Sequence, residues 1–173
     1  MLITCGDCGV MVKAAEINRA GRSTFLLCPH CQAGSVTISP GSGQPAVIYP
    51  PPPAGSEVKG LPDEVKNAWR EARVSHNVAA YTASEVMCRK ILMHVAVDKA
   101  GSSPGEKFYV YVNDLDSAGY VAPGLKPVID QVRDRGNGAA HELPQSTEAE
   151  SRVTLQITEH LLRTVYEMPL VGT

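Results

Sequence analysis

Four of the five cysteines fall into two CxxC pairs, Cys5-Gly6-Asp7-Cys8 and Cys28-Pro29-His30-Cys31, with 19 residues between them. Two residues between cysteines let both thiolates turn toward one metal while the amides of the turn face the sulfurs, and two such knuckles close a tetrahedral Zn²⁺ site. The pattern predicts one structural zinc held by Cys5, Cys8, Cys28 and Cys31, with no coordination position left for a substrate. His30, inside the second knuckle, is expected to be exposed, because four thiolates already complete the shell. Gly9 follows the first knuckle and suits a positive φ as the chain leaves the turn. The other chemistry open to CxxC is a redox pair. A segment of about forty residues cannot bury enough apolar surface to fold alone, so metal ligation, about 10–16 kcal/mol in small zinc peptides, would supply the missing stability.

A second chemistry-bearing stretch is VRDRGNGAAHE, Val132 to Glu142. Arg133, Asn137 and His141 are four apart and would line one face of a helix. Gly136 and Gly138 flank the asparagine, each costing about 1 kcal/mol against alanine inside a helix, which points to a close approach to the backbone or a local bend. One reading is phosphodiester cleavage. His141 would act as general acid or base and Arg133 or Arg135 would steady phosphoryl charge, with the 2′-hydroxyl of RNA as nucleophile and no metal required. The other reading is structural: His141 and Asn137 hydrogen-bond to each other and to a neighbouring helix, and the arginine pairs with Asp130 or Asp134. Arg89, in CRKIL, could join either arrangement. Cys88, left over after zinc binding, reads as a buried core residue.

The elements that must carry these residues differ along the chain. Residues 1–40 read as a zinc ribbon with strands over Val10–Ala15, Ser23–Leu27 and Ser35–Ser39, and with Asn18-Arg19-Ala20-Gly21 as the first turn. Residues 41–60 are rich in Pro, Gly and Ser, including four consecutive prolines from Pro50, and read as a polyproline II spacer and domain boundary. Residues 61–173 turn helical. The first helix follows Pro62, with Asp63 and Glu64 at its positive end and Val65, Trp69, Ala72 and His76 inward. A second covers Tyr81 to Lys99 and stops at Gly101. Glu106 to Ser117 fits either a strand or a helix and is read as a helix. A fourth runs from about Leu125 to Glu142, and the last from about Thr147 to Met168 with Pro169 as terminator.

Sixteen basic against eighteen acidic side chains give a net charge of −2 over 173 residues, and residues 61–173 carry twelve basic and fifteen acidic groups. Such a balance gives no global pull toward nucleic acid or anionic lipid. With three cations, two carboxylates, four thiolates and one Zn²⁺, the ribbon is slightly acidic. No apolar run spans a bilayer and no signal peptide follows Met1, so no membrane association and a cytoplasmic location are expected.

The blocks LPDEV at Leu61, AAYTASEVMCRKIL at Ala79, RDRGNGAAH at Arg133 and LLRTVYEMP at Leu161 occur in the order in which the chain resembles the bacterial domain of unknown function 4145 family. That family in turn is similar to the HEPN superfamily of helical bundles, many of them dimeric, metal-independent ribonucleases of toxin and antiviral systems. The resemblance implies a mainly α protein: an antiparallel four- to five-helix HEPN-like bundle preceded by a small β zinc ribbon. It implies a homodimer with a site shared across the interface, and a match of His141 to the superfamily histidine and of Asn137 to its polar residue. Gly136 stands where the superfamily has arginine. Arg135 restores an arginine with five intervening residues, on another helical face, and Arg133 lies on the right face with seven. Two functions follow: a ribonuclease or RNA-binding component of a defence or toxin system, or a non-catalytic dimerising module whose polar cluster organises the interface and whose ribbon recruits a protein or nucleic acid.

Overall fold

The computed structural model describes residues 1–41, 46–130 and 145–171. It divides into two compact units, Met1–Ser56 and Glu57–Thr173.

The first unit is a small two-layer β structure. Strands β1 (Leu2–Thr4) and β2 (Met11–Lys13) form an antiparallel hairpin that pairs Ile3 with Val12. Strands β3 (Ala15–Ala20), β4 (Ser23–Leu27), β5 (Gly34–Ile38) and β6 (Val47–Tyr49) form a second antiparallel sheet in sequence order. Between the layers lie Ile3, Val12, Ala14, Leu26, Cys5 and Cys28, with Ile48 partly buried against them.

Three sequence expectations change here. β1 was not expected, because three residues are too few to show alternation. The first turn is Gly21-Arg22 rather than Asn18–Gly21: β3 runs through Ala20, which pairs with Ser23, and Gly21 takes the φ of +57° that the tight reversal needs. The expected spacer contains β6, paired with β5 through Val36↔Tyr49 and Ile38↔Val47. Val47, Ile48 and Tyr49 are β-branched or aromatic, and that local propensity prevails over the Pro and Gly around them.

The second unit is helical. Helix α1 (Asp63–Asn77) buries Val65, Trp69, Ala72, Arg73 and His76, one face at three- and four-residue steps. After three residues α2 (Tyr81–Ala100) begins, and it ends at Gly101 in the left-handed conformation. The ambiguous stretch is a helix, α3 (Phe108–Ser117), burying Phe108, Tyr111, Val112 and Leu115. Residues 126–130 are also helical, and the rest of the expected fourth helix lies outside the described residues. Helix α4 (Glu148–Leu162) starts at a capping box, with the Thr147 hydroxyl accepting from the Glu150 amide and the Glu150 carboxylate accepting from the Thr147 amide. Helix α2 is central, packing against α1, α3 and α4.

Pro169 does not end the last helix. A π-helical turn, Arg163–Glu167, follows α4 and hands over to a final turn, α5 (Met168–Val171), that contains the proline. Pro169 sits in the first turn of that new segment, where a missing N–H costs least.

Candidate metal centre and the buried polar seam

The two knuckles are built alike. The Cys5 amide donates to the Val10 carbonyl (3.0 Å) and the Gly9 amide to the Cys5 carbonyl (3.0 Å). In the second knuckle the Cys28 amide donates to the Ala33 carbonyl (2.9 Å) and the Gln32 amide to the Cys28 carbonyl (3.0 Å). Each cysteine pair is thus wrapped by the same two main-chain bonds. Gly6 permits one further contact, since a β-carbon there would come within 1.9 Å of the Pro50 carbonyl oxygen.

The four sulfurs of Cys5, Cys8, Cys28 and Cys31 lie within 4.8 Å of one another. Approaches of 3.7 Å (Cys5 to Cys31) and 3.9 Å (Cys8 to Cys28) run between the knuckles. A tetrahedron with metal–sulfur bonds of about 2.3 Å has edges of about 3.8 Å, so the donor set fits a four-coordinate, thiolate-bound metal ion. Cys5 and Cys28 are buried, Cys8 and Cys31 half-buried, and His30 is exposed and outside the cluster.

Proton affinities in the metal-free cluster follow from the same geometry. The Cys31 amide, facing the Cys28 sulfur, brings that thiol down to about 7. At Cys31 the Ala33 amide pulls downward, but burial and the three neighbouring sulfurs outweigh it and push the thiol up to about 12. Burial raises Cys8. The Asp7 amide donates to the Cys5 sulfur at 3.4 Å. Four sulfurs this close cannot all ionise without a cation among them.

In the helical unit the polar groups gather along the seam between α2 and α4. Ser84, Glu85 and Cys88 of α2 are buried, as are Ser151, Thr154 and Thr158 of α4. The Glu85 carboxylate accepts from the Ser146 hydroxyl (2.5 Å) and the Thr154 hydroxyl (2.7 Å). His76 Nδ1 lies 2.9 Å from the Ser151 hydroxyl, with the Tyr81 ring edge-on at 5.3 Å. Burial lowers the His76 pKa, and Arg152 lowers it further. Ser151 has no exposed surface, so this pair ties α1 to α4 and offers no accessible nucleophile. Beside the seam an open cleft of about 620 Å³ is lined by Ala79 to Ala83 and Gln145 to Thr147.

Cys88 is fully buried and its thiol is pushed up to about 12 by desolvation. Arg89 stacks its guanidinium 4.3 Å from the centre of the Phe108 ring, a cation–π contact that joins α2 to α3. Arg133, Arg135, Asn137 and His141 lie outside the described residues. The seam itself had no motif to announce it. Its sequence signal is the recurrence of Ser and Thr at Ser151, Thr154 and Thr158, at helical spacing.

The family model "Domain of unknown function (DUF4145)" matches residues 70–170, more than half of the chain. The chain belongs to that family. The DUF4145 domain therefore coincides with the helical unit from within α1 to α5 and excludes the four-cysteine cluster. No curated protein and no solved structure matches the chain. Among the described residues no helix is long and apolar enough to cross a membrane.

Proposed function

We propose that Cys5, Cys8, Cys28 and Cys31 hold one structural zinc and that the chain is a non-catalytic interaction module, a metal-held ribbon joined to a HEPN-like DUF4145 bundle. The observation that carries this reading is the complete four-sulfur shell, whose spacing matches a tetrahedral thiolate site and leaves no position for water or substrate. Zinc bound there would fix the two knuckles and stabilise a β unit with a core of few residues. The buried seam supports the same reading for the helices, since its titratable groups are tied to hydroxyls inside the bundle. Chelation should unfold residues 1–56 and leave the helical unit folded, which backbone amide NMR of the whole chain resolves residue by residue. A ribbon whose amide spectrum is unchanged by metal removal would contradict it.

A second reading rests on the stretch from Arg133 to His141, which falls inside the matched family span. Under it, His141 and Asn137 with Arg133 or Arg135 form a metal-independent ribonuclease site. Incubation with total RNA separates the two. Cleavage that survives chelator and is lost in His141→Ala supports the nuclease, and intact RNA supports the interaction module.

A further inference from the structure

Three cations share one face of α1. Lys66, Arg70 and Arg73 follow at steps of four and three, with Trp69 among them. With Glu57, Val58 and Leu61 of the segment before the helix, they line a cavity of about 50 Å³. That segment is pinned to the π-helical turn. The Arg163 guanidinium donates to the Glu57 carbonyl at 3.2 Å and is itself paired with Glu159 and Glu167. Gly60, with a φ of +73°, lies so near the turn that a β-carbon there would come within 3.0 Å of the Tyr166 carbonyl oxygen. The cavity is thus preformed, walled by backbone that has little room to move.

From the size and charge of this cavity we infer that it binds a dianionic phosphoryl group, either free phosphate or the terminal group of a small phosphate ester. Arg73, 5% exposed, rests 5.9 Å from the centre of the Trp69 ring and is attracted to Glu57 and Glu159. Its charge is balanced within the bundle. Lys66 and Arg70 are exposed, and among the described residues neither has an ion-pair partner. Those two cations match the charge of about −1.5 to −2 on a phosphate monoester, whereas a carboxylate or a phosphodiester brings only one charge. Size agrees with charge. A cavity of about 50 Å³ takes about four waters, the bulk of one phosphoryl group, so a sugar or a base would remain outside. Arg70 offers a planar fork of N–H donors to two phosphate oxygens and Lys66 a point charge to a third. The buried Trp69 and Val58 beside them lower the local dielectric and strengthen both contacts.

The inference goes beyond the metal reading of the ribbon, and its test reports on the other unit. The full chain is titrated with inorganic phosphate, methyl phosphate, dimethyl phosphate and acetate, and followed by amide NMR. Ionic strength is held constant, at about pH 7.5, above the second ionisation of a phosphate ester near 6. Amides of residues 57–61 and 66–73 should shift and saturate below about 10 mM phosphate or methyl phosphate. Dimethyl phosphate and acetate should bind at least about tenfold more weakly. Tighter binding of inorganic phosphate assigns the site to the free ion, and tighter binding of methyl phosphate assigns it to an ester. Lys66→Gln and Arg70→Gln, both at exposed positions, should each weaken binding about tenfold while amides elsewhere keep their wild-type positions. Lys90→Gln, on α2 and outside the cavity, should bind as wild type does. An absence of saturable shifts, equal affinity for acetate, full affinity in either cavity variant, or equal weakening by Lys90→Gln overturns the inference.

Discussion

Gly9 and Gln32 occupy the same place in the two knuckles. Each follows the second cysteine of its pair, each has a positive φ (72° and 64°), and the amide of each donates to the carbonyl of the first cysteine at 3.0 Å. The backbone demand is identical, but only the first knuckle meets it with glycine. A residue with a β-carbon pays about 1–2 kcal/mol to be left-handed, whereas glycine adds about 0.5–1 kcal/mol of freedom to the unfolded chain. Gly9→Ala should destabilise the ribbon by about 1 kcal/mol. Gln32→Gly should be neutral or stabilising by less than ~1 kcal/mol. Chelator competition on the two variants reads both signs.

The contact between Gly6 and Pro50 gives a sharper prediction. A β-carbon at residue 6 would lie 1.9 Å from the Pro50 carbonyl oxygen, a backbone atom that cannot rotate away. Gly6→Ala should therefore shift the segment after β6 and cost about 1–3 kcal/mol. The amide shifts of Tyr49 and Ala54, which flank the four prolines, report it.

Zinc affinity should rise with pH. Cys31, pushed up to about 12, and Cys8, also raised, hold their protons in the metal-free cluster at neutral pH, and zinc must expel both. Above about 7 the Cys28 thiolate is already formed. The protons of Cys8 and Cys31 alone make the binding constant grow by at least about a hundredfold per pH unit at neutral pH. Below about 7 the slope should steepen by one more proton. A competing chelator measured at several pH values yields the slope.

The helical unit should lose stability in mild acid through His76. Its folded pKa is depressed by burial, so the unfolded chain takes up a proton near the usual value of about 6.5 while the folded chain does not. Stability is fully present above about 6.5 and declines as pH falls below it. Thermal melts at pH 7.5 and pH 5.5, as about bracketing values, should show a smaller difference in His76→Gln than in wild type.

Thr154 tests the seam. Replacing it with valine preserves shape and removes one of the hydroxyls that donate to the Glu85 carboxylate. Because the carboxylate is buried, the loss should cost about 1–3 kcal/mol, read from urea unfolding.

Much of this was legible in the sequence, and the reasons differ by element. The cysteine spacing is a local constraint with one geometric solution, so all four sulfurs gather as the motif implies. Helices α1 and α2 declared themselves through Val65, Trp69 and Ala72 at helical steps and through Gly101 at the stop. β1 and β6 did not, because three-residue strands carry too little pattern and the Pro-rich surroundings of β6 argue the other way. The Ser and Thr residues of the seam were silent because a hydroxyl is compatible with either face of a helix. Burial of Thr24, Ser35 and Thr37 with exposure of Phe25 and Tyr49 reverses the usual alternation, and only pairing register shows it.

Metal analysis of the native chain tests the central claim most directly. The account predicts one zinc per chain, with Cys5, Cys8, Cys28 and Cys31 protected from alkylation until a chelator removes it. A metal-free protein whose ribbon is folded and whose four thiols react freely would contradict it.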